Sequence, residues 1–367
     1  VIALSKLFVH PIKSMRGLQL SHAQVTDCGL AFDRLFMLTD AQGAFITARQ
    51  YPEMVQFTPA IMPGGIHIST PDGSSLLVRF DDFEPAPEQT EVWGNTFTAR
   101  IATDKINHWF SQQMNKKVQL RWLGEHPTRR VKKHPAVPLS FADGYPFLLI
   151  NDASLHDLQQ RCPAGTQVEQ FRPNLVVSGA EPYAEDSWQT IRVGEVIFDL
   201  VKPCSRCVLT TVSPQRGRKH PSGEPLTTLK SYRMAENGDI DFGHNMIARN
   251  SGIIRQGDEV EVLASKPARQ YITSPTVPVI SPTLNEPEAL TISYQGQQFS
   301  ANNQLTILEQ LEQHNLRLPY SCRAGFCGCC KVKLQAGEVT ALKEGVITDD
   351  GEIFTCSCIP KTSITLA

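Results

Sequence analysis

The sequence predicts a mixed α+β, multidomain fold: a β-rich body with a few helices, followed by a small tethered domain. Three observations carry this reading. The chain has 367 residues, more than one ordinary core accommodates, so two or three domains are expected. Before residue 265, short apolar runs alternate with polar residues, the period of half-buried strands. Residues 266–287, "KPARQYITSPTVPVISPTLNEP", hold five prolines and no glycine, the composition of a semi-extended linker. The expected divisions are 1–100, 101–265, the linker 266–287, and a final unit 288–367.

The elements follow in order. "VIALSKLFVHPIKS" alternates like a strand, with Leu7 and Val9 on one side. Ser5 and Lys6 interrupt its apolar run, which makes it a poor secretion signal. "RLFMLTDAQGAFITARQ" reads as a hairpin turning at Asp40–Gly43. "SLLVRF" and "TFTARIA" continue as strands, and a helix is expected at about 104–115. "PFLLI" reads as a buried strand running into the helix "DASLHDLQQRC", where Leu155, Leu158 and Cys162 share a face. Cys162 is thereby a small core residue. "FRPNLVVSG", "VIFDLV" and "VLTTV" are read as further strands. Beyond the linker, "LTISYQGQQFS" is a hairpin turning near Gln295–Gly296, and "LTILEQLEQHN" an amphipathic helix with Leu305, Leu308 and Leu311 on one side.

Composition excludes some functions. Lys plus Arg, 35, nearly balances Asp plus Glu, 37, so the overall field makes no case for nucleic acid. No apolar run approaches the roughly 20 residues of a membrane helix. A cytoplasmic protein is the expectation. Six of the ten cysteines lie at the C-terminal end, a clustering that points to metal binding rather than a disulfide framework.

"YSCRAGFCGCCKV" sets Cys322, Cys327 and Cys330 in a C-x4-C-x2-C arrangement with further cysteines downstream. Four thiolates around two irons make a [2Fe–2S] cluster, and this is the plant-type ferredoxin spacing. Gly325 and Gly328 suit a tight loop whose N–H groups face the cluster. A structural zinc site is the alternative, with the four-residue gap at the limit of zinc spacings. The stretch resembles plant-type ferredoxins, and that resemblance implies Cys356, four before Pro360, as the fourth ligand, with Cys329 and Cys358 as neighbours. It also implies a β-grasp fold and a one-electron carrier near roughly −400 mV. The eight acidic and six basic residues from Glu288 onward lack the strong acidity of many free ferredoxins, which fits a carrier concentrated by its tether.

No GxGxxG follows a strand and HExxH is absent, so neither a dinucleotide site nor a zincin is apparent. The remaining chemistry sits in "HPIKSMRG", "FDR", "TARQ", "FRPN" and "KPCSRCVLTTVSP". The pair Cys204 and Cys207 can be half a zinc site, a dithiol, or one working thiolate beside a bystander. In this order the motifs resemble MOSC-domain proteins with their N-terminal β-barrel domain, the relatives of molybdenum-cofactor sulfurases and of amidoxime-reducing components. The resemblance covers roughly residues 1–265. With the ferredoxin appended, the whole chain resembles the bacterial YcbX type. The fold it implies is a β-rich N-terminal barrel, a MOSC β-barrel and the ferredoxin domain.

The resemblance implies a molybdenum cofactor, with Cys207 as the metal's protein ligand and catalytic residue. A soft thiolate suits such a centre, and Arg206 and Lys202 nearby would favour the thiolate. Lys13, Ser14, Arg34, Arg172, Asn174, Ser205 and Arg206, with Gly144 and Tyr145 through backbone, are the implied cofactor contacts. The arginine forks match a pterin's phosphate. Ser213 stands where amidoxime reducers usually carry Asp. The implied function is reduction of N-hydroxylated compounds, N-hydroxylated purine analogues among them, to amines, in a detoxifying role. Electrons would come from an external flavin-containing NAD(P)H reductase through the [2Fe–2S] domain. The competing expectation is a sulfur carrier with a persulfide on Cys207, for which a one-electron relay has no use.

Overall fold

The structure is a computed structural model that describes residues 1–162, 164–272, 289–303, 305–314, 316, 318–319, 325, 328, 330–342 and 345–367. The greater part of the expected linker, 273–287, lies outside these residues, as do Cys322, Cys327 and Cys329. Two compact units emerge. One comprises Val1–Leu229 with Asp241–Gln270, the other Lys230–Ile240 with Tyr271–Ala367. The class is mixed α+β and strand-dominated throughout.

The first unit holds two cores. An eight-stranded sheet runs Leu18–Leu20, Ala3–Val9, Leu175–Ser178, Phe147–Asn151, Asp241–Ala248, Val196–Ser205, Trp188–Val193 and Val260–Ser265 in spatial order. Leu7, Val9, Leu175, Val177, Leu149 and Phe198 fill one core beneath it. A four-stranded sheet (Phe36–Thr39, Gln119–Trp122, Asn95–Ala102, Phe83–Val92) and a three-stranded one (Thr58–Met62, Gly65–Ser69, Ser75–Arg79) accompany the other core. That core gathers Ile12, Met15, Phe36, Ile66, Phe110 and Phe141.

The N-terminal strand thus belongs to the sheet built mainly from residues 147–265, with Leu7 opposite both Leu175 and Leu20. A few residues later the chain enters the other core through Ile12 and Met15. Lys13 and Ser14, between those two anchors, are held where the cores meet. The first helix, Asp104–Gln113, buries Ile106 and Phe110. The second, Asp152–Arg161, is capped by the Asn151 side chain accepting from Ala153 N and buries Leu155 and Leu158. Cys162 closes it, 1% exposed.

Three local expectations change. The return arm of the Asp40–Gly43 hairpin is tied by Asp40 N to Ala44 O and Ile46 N to Leu38 O. It does not continue as a strand; it turns at Thr47 toward Arg49. "VLTT" is a 3₁₀ turn, Val208–Thr211, not a strand. Its threonine hydroxyls bond backward, Thr210 Oγ1 to Cys207 O and Thr211 Oγ1 to Val208 O. Such local bonds compete with a ladder and override β propensity. In the C-terminal unit Leu305 precedes the helix, which runs Ile307–Gln313 from a Thr306–Glu309 capping box.

The main sheet of that unit has five strands, Gln297–Ala301, Leu290–Tyr294, Ile364–Leu366, Lys331–Ala336 and Glu352–Phe354, and a smaller sheet pairs Val339–Ala341 with Cys358–Pro360. Leu290–Tyr294 pairs in parallel with Ile364–Leu366 and antiparallel with its hairpin partner, a β-grasp arrangement. Gln295 and Gly296 turn the hairpin with φ of 51° and 76°, the left-handed pair that two-residue hairpins favour. Leu308 and Leu311 of the helix share a core with Ile292, Val332 and Ile364.

Candidate functional site

Residues far apart in sequence converge on one cleft of the first unit, with an empty volume of about 800 Å³. Lys13, Ser14, Arg34, Gly144, Tyr145, Arg172, Asn174, Ser205, Arg206 and Cys207 all line it, with Arg49, Asp143, Gln170, Cys204 and Asn245. Lys13 and Ser14 arrive from the crossing between the cores, and Arg172 and Asn174 from the entry to the Leu175–Ser178 strand. Ser205 ends a long strand, and the 3₁₀ turn after it leaves Cys207 at the wall.

Three cleft residues carry backbone strain. Ser14, Arg34 and Arg172 have φ of 70°, 49° and 54°, a left-handed conformation uncommon for residues other than glycine. Such outliers cost about 1–3 kcal/mol each and gather at ligand clamps. Gly144 shows the reverse: an added Cβ would meet nothing within 4 Å, so packing does not demand glycine there.

The polar contacts separate frame from free valence. Asn174 ties three segments together, its Nδ2 donating to Phe8 O and its Oδ1 accepting from Leu148 N. Arg34 donates to Asp33 at 2.6 Å and to Arg172 O at 3.0 Å. Arg172 Nη1 donates to Met15 O, and Arg206 donates to Phe242 O and Phe171 O. The second terminal nitrogens of Arg172 and Arg206 are buried without a hydrogen-bond partner among the described residues. Buried donors left unpaired are costly. Five cations line the cleft (Lys13, Arg34, Arg49, Arg172, Arg206) against one carboxylate, Asp143. Burial pushes Lys13 down to about 8, with Asp143 opposing, and burial with neighbouring Arg34 pushes Arg172 down to about 9. An anionic ligand with several acceptor oxygens relieves all of these at once, so the lining fits a phosphate-bearing pterin.

Around Cys207 the structure revises the expected neighbours. Lys202 lines an adjoining cavity instead, and Arg206 is bonded to main-chain carbonyls. The cation on the sulfur is Arg49, whose Nε donates to Cys207 Sγ at 3.3 Å. Its Nη2 donates to Asp143 at 2.9 Å, and its guanidinium lies over the Trp93 ring at 4.7 Å. Burial works against the charge on Arg49, but the Cys207 and Asp143 contacts raise its basicity further. Asp143 also accepts from Lys13 Nζ at 2.5 Å and Trp93 Nε1 at 3.0 Å. Desolvation opposes its charge, yet Lys13 and Arg49 hold its carboxyl well below the ordinary range, although half the side chain stays open to the cleft. Sequence reasoning named Arg49 within "TARQ" without a role and missed Asp143 and Trp93. The acid beside Gly144 in "DGYP" was the available signal. Cys204 and Cys207 are free thiols, and burial raises Cys204 above the ordinary thiol range.

In the C-terminal unit, Cys330 and Cys356 are buried with their sulfurs 3.3 Å apart. Two metal–sulfur bonds of about 2.3 Å meeting at one ion span such a gap. The other two expected ligands lie outside the described residues. Cys358 faces Val346 O, and burial pushes its thiol up to about 12. Gly325 has φ of 71°, and a Cβ there would sit 2.8 Å from Ser357 Oγ and Val346 Cγ1.

Comparisons with known proteins agree with this layout. Residues 1–117 match the MOSC N-terminal beta barrel domain, 137–261 the MOSC domain, and 290–361 the 2Fe-2S iron-sulfur cluster binding domain. The chain is 32% identical over 280 residues to mitochondrial amidoxime-reducing component 1 of Mus musculus, covering 71% of this chain and 82% of that one. The chain belongs to the amidoxime-reducing-component family of MOSC proteins. A molybdenum cofactor sulfurase of Arabidopsis thaliana is 29% identical over 264 residues, 65% of this chain and 32% of that protein. A phthalate dioxygenase reductase structure shares 32% identity over 22% of this chain and 27% of its own, with a TM-score of 0.20. As a family member with an appended ferredoxin-type domain, the protein carries two cofactors, a molybdenum cofactor and a [2Fe–2S] cluster. No described helix is long and apolar enough to cross a membrane.

Proposed function

We propose that the protein is a molybdenum-cofactor oxidoreductase that reduces N-hydroxylated compounds to amines. The overall change is R–NHOH plus two electrons and two protons giving R–NH₂ and water. When bound, the molybdenum centre supplies the oxygen-abstracting chemistry, and Cys207 is its protein ligand. Arg172 and Arg206 offer the pterin phosphate their unpartnered nitrogens. Lys13, Ser14 and Ser205 line the same wall. Arg49, braced by Asp143 and Trp93, orients the Cys207 sulfur and balances its charge. Cys322, Cys327, Cys330 and Cys356 would hold the [2Fe–2S] cluster, which would supply one-electron chemistry between an external flavin-containing reductase and the cleft.

The observation that carries this reading is the convergence of five cationic or thiol-bearing segments, three of them with a residue at positive φ, on one cleft where two buried guanidinium nitrogens lack acceptors among the described residues. Similarity to a sulfurase favours a second reading, a persulfide on Cys207 handed to a partner, but that reading leaves the cluster without work. Metal analysis of the wild type, Cys207→Ser and Cys204→Ser, alongside hydroxylamine reduction, separates the two. We expect about one molybdenum per two irons, with molybdenum and activity lost in Cys207→Ser and largely kept in Cys204→Ser. Full activity without molybdenum would overturn the proposal.

A further inference from the structure

Beside the reaction cleft lies a second cavity, with an empty volume of about 630 Å³, sharing Asp143, Gly144 and Tyr145 with it. Its wall carries Arg129, Arg130, Lys132, Lys133 and Lys202 against one carboxylate, Asp143. That carboxylate is already neutralised by Lys13 and Arg49. The chain as a whole has a net charge of −2, so this excess is local. Lys132, Lys133 and Lys202 form no ion pair among the described residues, and Arg129 Nε is buried without a partner. Lys132 and Lys133 are the two turn residues between paired strands Arg130–Val131 and His134–Pro138. Neither lysine has the positive φ that calls for Asn, Asp or Gly in such a turn, so the turn accepts them and leaves both side chains exposed. Two aromatic rings, Trp93 and Tyr145, stand on the same wall.

A small concave site with converging cations and aromatic faces takes a small anion rather than a flat protein surface. We propose that this basic antechamber holds the phosphate of an N-hydroxylated nucleotide while its base reaches the cleft. The protein would thereby prefer nucleotides to neutral bases and nucleosides. This rests on reading the cleft as the site of N-hydroxyl reduction.

The test uses the full-length, cofactor-loaded protein with saturating reductant. kcat/KM is measured for an N-hydroxylated adenosine and for its 5′-monophosphate, in the wild type and in Lys132→Gln/Lys133→Gln. The expected preference for the monophosphate is at least about tenfold, as for loss of one charge-assisted contact, collapsing toward unity in the variant. An equal preference in both proteins, or none in the wild type, overturns the proposal. Calorimetric binding of adenosine 5′-monophosphate and of inorganic phosphate gives a readout that does not need turnover. The nucleotide should bind at least about tenfold more weakly to the variant. Inorganic phosphate binding as tightly as the nucleotide overturns the nucleotide assignment. Nucleotide binding confined to cofactor-free protein also overturns it, since the cavity would then hold the cofactor's own phosphate. Lysine-dependent nucleotide binding without reduction of either substrate leaves the site standing and removes the proposed function instead.

Discussion

Arg49 is the residue on which the cleft's electrostatics turn. It touches Cys207, Asp143 and Trp93 at once, so a change in its shape is felt at the sulfur. Lysine keeps the charge but cannot donate to two partners in a fixed fork. Arg49→Lys is therefore expected to lower hydroxylamine reduction at least about tenfold while retaining molybdenum, read by kinetics and metal analysis together. Lys13 gives a pH signature. Folded Lys13 sits at about 8 against an ordinary 10.5, so between those values the unfolded chain binds more protons. The stability of the cofactor-free protein due to Lys13 is lowest below pH 8 and rises as pH climbs through that window. Denaturation of wild type and Lys13→Met at pH 7.5 and 9.5 should show a larger rise in the wild type, the smaller rise left in the variant coming from the depressed Arg172.

At the scale of the element, turns place the chemistry that strands support. The Val208–Thr211 turn ends the run that carries Cys204 and leaves Cys207 at the cleft wall. In the C-terminal unit Gly325 is required twice over, by its positive φ and by Ser357 and Val346 at 2.8 Å from any Cβ. Gly325→Ala is expected to strip the cluster, seen as loss of iron and of visible absorbance. Cys358→Ala should keep both, because its buried sulfur faces Val346 O and the proposed ligand set does not include it. Equal iron loss in the two variants would contradict the proposed ligand set. Strand positions, the two long helices and the Gln295–Gly296 turn were legible from period and turn chemistry. The 3₁₀ turn was not, because hydroxyl-to-carbonyl bonds within four residues outweighed the β-branched composition of "VLTTV".

Across the whole molecule, the proposal divides labour between two metal centres. Replacing Cys330 with Ser should remove iron but leave molybdenum in place. Reduction driven by the flavin reductase should then fail, while reduction driven by a small chemical reductant persists. Loss of both would mean that Cys330 supports the cleft structurally rather than feeding it electrons.

By itself the sequence determined the class, the clustered cysteines and the inventory of cations and thiols, because period, spacing and side-chain chemistry are local properties. It also ordered the short motifs well enough to nominate the cleft's lining. Only the tertiary structure decided which atoms meet. The N-terminal strand joins a sheet built mainly from residues far downstream, and Arg49 reaches a sulfur 158 positions away. Lys202, close to Cys207 in sequence, faces a different cavity. Strand register and core packing set those distances, and neither is written in any single stretch of the chain.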